Sequence, residues 1–173
     1  MKSFKNCKLA TTRFSNRTWA ENKKWRAEHD WGGCIYGCPI PIAHADYRWK
    51  IDKNERIFVI EMNNETNQVE GIGCILNHMR YDLDARIYSD FNYNRYIYRS
   101  NVRITRDKIE PVLDTLENIL FKGKGHLKRG HGITIHKSIF KKCIMFELKN
   151  GVQPSVIIRR YKRFKKILLQ CLS

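Results

Sequence analysis

Acidic residues are scarce in this chain: 17 Asp and Glu stand against 33 Lys and Arg, a formal net charge of +16. So large an excess of one sign repels itself in a compact fold, and an anionic partner relieves the repulsion. Nucleic acid heads the list of such partners, followed by an anionic membrane surface and then an acidic protein. Long apolar runs are missing too, so no transmembrane helix is expected. The opening MKSFKNCKLATTRF lacks the apolar core of a secretory signal. The signatures of common catalytic sites are absent: there is no G-x-S-x-G elbow, no H-E-x-x-H pair and no glycine-rich loop ending in G-K-[ST]. No catalytic residue, metal or cofactor is therefore assigned. There is no C-x2-C pair among the six cysteines (7, 34, 38, 74, 143 and 171), and thiols in a reducing compartment, cytoplasm or nucleus, are expected. His29, Cys34, Cys38 and His44 come nearest to a zinc set, yet CIYGC is C-x3-C and no second pair completes it.

What is present suits one compact domain: 173 residues, 42% of them hydrophobic. Lys, Asn and Ile are abundant, as in proteins from AT-rich genomes such as those of some large DNA viruses. CKLATTRF (7–14) predicts a first strand, and TWAENKKWRAEH a helix opened by a Thr18–Glu21 capping box. DWGGCIYGCPIPIAHADY reads as a long, ordered, turn-rich loop. RIFVIEM is almost continuously apolar, the pattern of a strand buried on both faces, and VEGIGCIL returns beside it after the polar turn NNETNQ. RYIYRSNVRIT (95–105) alternates, with Arg95, Arg99 and Arg103 on one face of a single strand. DKIEPVLDTLENILF carries a helical apolar stripe, KGKGHLKRGHGITIH is a basic glycine-rich loop leading to a short strand, and PSVIIRRYKRFKKILLQCLS is a basic amphipathic helix. The expected class is α+β, with a small curled mixed sheet flanked by helices. Residues 1–152 are expected to form the nucleic-acid-binding domain, with 153–173 as a helix packed on it or extending it.

KLATTRF…TWAENKKW…GGCIYGCPIPIA, IFVIEMNNETNQVEGIGCIL, NRYIYRSNVRI and HLKRGHGITIHKSIF together resemble the PUA-like superfamily, in its YTH, EVE and ASCH branch. That resemblance covers roughly residues 7–145 and implies a sheet curled into a barrel with a pocket for one base or nucleotide. Members that read methylated bases enclose them with tryptophans; near those positions this chain has Tyr36 and Tyr81. Glycine inside a strand marks a bend, a bulge or a close approach, so Gly71 and Gly73 point to barrel curvature first and a ligand beside bare backbone second.

The expected function is binding of RNA or single-stranded DNA without catalysis. Phosphates are assigned to Arg95, Arg99, Arg103, Lys122, Lys124, Lys128, Arg129, Arg159, Arg160 and Arg163, and an unstacked base to Trp31, Tyr36, Asn63, Asn64, Gly71 and Gly73. Two other readings stay open. One is a metal-dependent nucleic-acid-processing enzyme using Asp82, Asp84 and Asp90 with His126 or His131; the other is a viral genome-condensing protein with no base pocket. The final helix also suits a membrane surface or a partner protein.

Overall fold

The computed structural model describes residues 7–42, 51–52, 55–80 and 85–170. Among these residues, seven strands and four α-helices form an α+β fold. In chain order they are β1 (Cys7–Phe14), α1 (Asn16–Glu28), β2 (Cys34–Cys38), β3 (Arg56–Asn63), β4 (Gln68–Leu76), β5 (Tyr96–Ser100), β6 (Arg103–Thr105), α2 (Glu110–Phe121), β7 (Thr134–Ile135), α3 (Ile139–Lys149) and α4 (Pro154–Gln170). A five-stranded mixed sheet runs β6-β4-β3-β1-β7, and β2 pairs with β5 in a separate two-stranded sheet. The only parallel pair among these is β1 with β3, in register from Cys7↔Arg56 to Phe14↔Asn63; α1 lies between them in the chain. The two sheets do not close into a barrel among the described residues.

The continuous apolar run of β3 is buried on both faces, as its composition predicts. Phe58, Ile60 and Met62 join Leu9, Ile72 and Cys74 under α2, α3 and α4. Ile57 and Val59 turn the other way, with Ala10 and Ile75, onto α1, β2 and β5. The first layer also takes Leu116 and Leu120 from α2 and Phe164 and Leu168 from α4, so the last helix shares the core of the main sheet. Burial of each such side chain contributes about 1.5–3 kcal/mol. No described helix is long and apolar enough to cross a membrane.

Four expectations change in detail. The α1 cap is Ser15, not Thr18: Ser15 Oγ accepts the Thr18 N–H at 3.2 Å and Thr18 Oγ1 accepts the Ser15 N–H at 2.9 Å. Phe14 is still paired in β1, so the turn into the helix begins at the next residue. The expected long loop contains β2, all five of whose residues are buried against β5. The single strand expected over 95–105 is two strands, parted at Asn101 and Val102, where the chain leaves one sheet for the other. Finally, α3 is a helix that the expected order of elements did not contain.

Candidate nucleic-acid interface

Gly71 and Gly73 belong to the face of β4 that meets the second sheet. A Cβ on Gly73 would stand 2.1 Å from Tyr36 Oη and 2.6 Å from Cys34 Sγ, and one on Gly71 would stand 2.7 Å from an Arg103 guanidinium nitrogen. The glycines thus admit this protein's own side chains, and the expected base socket beside them is packed solid. Tyr36 is 1% exposed. Its hydroxyl donates to Glu61 Oε1 at 2.8 Å. Arg103 grips the same carboxylate, Nη2 to Oε2 at 2.7 Å and Nε to both oxygens at 3.1 Å, and its Nη2 also donates to the Glu70 carbonyl. Burial, then the neighbouring Cys34 and Glu61, hold the Tyr36 phenol far above its ordinary range, so it stays a neutral donor. A register slip between Glu61 and Met62 leaves Glu70 as the extra residue of a bulge. Two sequence assignments are therefore corrected: Tyr36, Gly71 and Gly73 face the interior, and Arg103 is a buried counter-ion rather than a phosphate ligand.

An open cavity lies elsewhere. At the carboxyl end of β1 lies a crevice of about 440 Å³, lined by Arg13, Ser15, Arg17 and Thr18, the turn residues Asn64 and Glu65, Tyr88 and Tyr93, and Gly130–Gly132. Its construction follows from the sequence locally. β1 ends at Phe14, whose carbonyl accepts the Asn64 N–H at 2.8 Å and so draws in the β3–β4 turn. The basic glycine-rich loop is then folded back over both. Asn64 Nδ2 donates to the Lys128 carbonyl (2.9 Å), Lys128 Nζ to Asn67 Oδ1 (2.7 Å), and Arg13 to the Leu127 carbonyl (2.8 Å) and Thr134 Oγ1 (3.0 Å). Gly130, at φ +116°, passes over the Arg13 guanidinium, and Gly132 has φ +62°; both conformations favour glycine. Burial lowers Arg13 to about 10, which leaves it protonated at neutral pH.

The crevice holds charges of both signs. Arg17, Arg129 and His131 are exposed at or beside it. Its two carboxylates are engaged with backbone donors: Glu65 Oε2 accepts the Asn16 N–H at the start of α1 (3.2 Å), and Asp90 Oδ1 accepts the Asn92 N–H (3.0 Å). The parallel ends of β1 and β3 and the N-terminus of α1 converge here, the geometry in which strand ends and helix dipoles favour an anionic ligand.

A second opening lies at the opposite end of β3, roughly 23 Å away at the usual strand rise. This groove, about 500 Å³, is lined by Trp31, Leu76, His78, Arg80, Arg99, Ser100 and Asn101. Arg99 sits 3.8 Å above the Trp31 ring, and Trp31 Nε1 donates to the Cys34 carbonyl at 3.3 Å. Trp31 and Arg99 are therefore together at a surface, though far from Asn64.

The remaining predicted residues divide by environment. Asn63 is 2% exposed: its Oδ1 accepts the Glu65 and Thr66 N–H groups and its Nδ2 donates to Asn16 and Glu70, so it shapes the turn and reads no base. Arg160 is a partner of Glu147 at 2.7 Å, not a free cation. Arg95, Lys122, Lys124, Arg159 and Arg163 are exposed, with Arg95 lying over the Tyr96 ring. Cys34 and Cys38 are buried free thiols, both pushed up to about 12 chiefly by burial, and His29 stacks on Trp25. No group of three His, Cys, Asp or Glu that could hold a metal ion occurs among the described residues. Tyr81, Asp82, Asp84 and His44 lie outside them.

Sequence reasoning passed over Arg13, Ser15 and Arg17. Their signal was available: RFSNRT places an N-cap serine between two arginines at a strand-to-helix turn. No family model, curated protein or solved structure matches this chain.

Proposed function

We propose that this protein binds single-stranded nucleic acid, with phosphates held by exposed cations and one unstacked nucleotide taken into the crevice at the end of β1. The observation that carries this reading is the crevice itself, roofed by a basic glycine-rich loop that Arg13 and Asn64 clamp in place. Its volume of about 440 Å³ lies within the range of small-ligand sites, ~300–1,000 Å³. Arg17 and His131, with Arg129 beside the loop glycines, supply the anion-facing chemistry, and the half-buried Tyr93 is an aromatic lining residue. The Trp31–Arg99 stack offers a second flat surface on which another base rests. A strand or a flipped base is favoured over an intact duplex, because stacked and paired bases do not enter a crevice. The same reading places the chain with PUA-like domains, with the ligand beside the first strand-to-helix turn instead of beside the glycines of β4, and in a reducing compartment.

The test is a salt titration of oligonucleotide binding. For a single strand, log K falls with log[salt] at about 0.7 per phosphate neutralised. Arg17→Glu with Arg129→Glu weakens binding and flattens that slope. A salt-independent affinity rejects nucleic acid as the ligand. Binding that survives the crevice variants but is lost on reversing Arg159 and Arg163 leaves a charge-only binder with no nucleotide pocket.

A further inference from the structure

A third opening has a different chemistry from the other two. Between the end of α2 and the outer face of α3 runs a groove of about 460 Å³. Ile119, Met145 and Phe146 form its floor, and Lys122, Lys142 and Lys149 stand around it. Met145 is 46% exposed, and the next outward apolar residue on α3, Leu148, is 42% exposed. The opposite face of α3, through Ile139, Cys143 and Glu147, is buried against the neighbouring helices. The solvent side of α3 therefore carries two apolar residues, Met145 and Leu148, among Lys141, Lys142 and Lys149.

We propose that this groove docks an acidic protein segment carrying one or two large apolar anchors. Charge complementarity selects that occupant. Three lysines line the groove and no carboxylate does; Asp114, one turn before the lining residue Asn118 on α2, already accepts from Asn118 Nδ2. A second copy of this chain would bring the same lysines and a net charge of +16 against its own. Nucleic acid is the poorer fit, because the floor is largely hydrocarbon and thioether. The one side-chain amide, Asn118, has its Nδ2 spent within α2, which leaves little to read a base edge. Methionine adapts its shape to varied apolar anchors, and a lysine rim around an apolar floor suits Asp and Glu flanking Leu or Phe. The proposal does not rest on the nucleic-acid reading; the groove meets the basic loop only through Lys122, Gly123 and Gly125, and its apolar lining comes from α2 and α3.

The experiment uses the full chain with carbon-13-labelled methionine methyls and a short capped synthetic peptide, glutamate-rich with one Leu and one Phe a helical turn apart. Saturable binding that shifts the Met145 methyl signal is expected. Met145→Asp should weaken it by about tenfold or more, as for a central anchor contact. Lys142→Glu with Lys149→Glu should weaken it several-fold and more at low salt. Oligonucleotide affinity should be unchanged by Met145→Asp, which separates this site from the crevice. Met145 is exposed, so folding is not at stake, and the lysine pair gives an independent reading. The proposal is overturned if the peptide does not bind, or if Met145→Asp binds it equally. It is also overturned if a peptide with both anchors changed to Ser binds as well. Phosphatidylserine vesicles that bind through Met145 where the peptide does not would likewise overturn it, and would make this a membrane-facing surface.

Discussion

Glu61 and Glu147 are both almost fully buried, and each is held by one arginine and one tyrosine, yet the two sites are built differently. Glu61 lies between the two sheets, with both oxygens occupied: Tyr36 donates to Oε1, and Arg103 donates to both oxygens from a side chain only 9% exposed. Glu147 lies among three helices and uses one oxygen. Oε1 accepts from Thr115 at 2.7 Å, Arg160 at 2.7 Å and Tyr161 at 3.4 Å, whereas Oε2 is buried with no partner. Arg160 is 31% exposed. The first site is a closed link between layers; the second is a one-sided pin that holds α4 to α2 and α3. Buried ion pairs earn little net stability when intact and cost heavily when broken, and the cost grows with enclosure.

That difference sets a ranked series of outcomes. Glu61→Ala leaves the Arg103 guanidinium enclosed without its counter-ion, and a loss of about 3–5 kcal/mol is expected in urea unfolding. A loss below about 1 kcal/mol would show that water reaches Arg103 and that the site is not closed. Gly73→Ala drives a methyl into the Tyr36 hydroxyl and should cost about 1–3 kcal/mol. The same change in a Tyr36→Phe background should cost less, since the clashing oxygen is gone; additivity between the two would contradict the contact. Glu147→Ala should cost less than Glu61→Ala, about 1–2 kcal/mol, because the arginine it leaves behind, Arg160, is 31% exposed and solvent screens it. It should also speed proteolytic cutting in the Asn150–Gln153 connection as α4 loosens. Equal losses at the two carboxylates would erase the distinction.

His136 supplies an effect confined to acid pH and a control, a half-buried titratable group with cations rather than a carboxylate nearby. Burial first, then Arg13 and Lys142, lower it from 6.5 to about 4, while its Nε2 hydrogen-bonds Thr11 Oγ1 at 3.0 Å. A histidine that resists protonation in the folded state gives a contribution that is whole above pH 6.5. The contribution is lost as pH falls from there towards 4, because the unfolded chain takes up the proton first. His136→Gln should remove that part of the slope, read as the difference between wild-type and variant stability at pH 7, 6 and 5. Parallel curves would place the imidazole in water.

The sheet's two-sided burial, the β3–β4 hairpin, α2 and α4 were legible because each is a local pattern: a continuous apolar run, a polar turn, or a helical stripe. β2 was not, since CIYGC is short, contains a glycine and sits between turn residues, and only pairing with β5 makes it a strand. The alternation of 95–105 was seen, but not its break at Asn101 and Val102, after which Arg103 meets Glu61 while Arg99 lies over Trp31 in an open groove. Of the candidate site, the basic loop and its glycines were recognised, but the clamp residue Arg13 was not, because its partners Leu127 and Thr134 are more than a hundred positions away.

By itself, then, the amino-acid order determined the charge excess, the main amphipathic segments and the need for something to lie close against Gly71 and Gly73. Only the tertiary structure decided what lies there, and which arginines meet solvent and which meet a carboxylate. Side-chain periodicity specifies which face of an element is apolar, but burial and pairing depend on what the rest of the chain brings to that face.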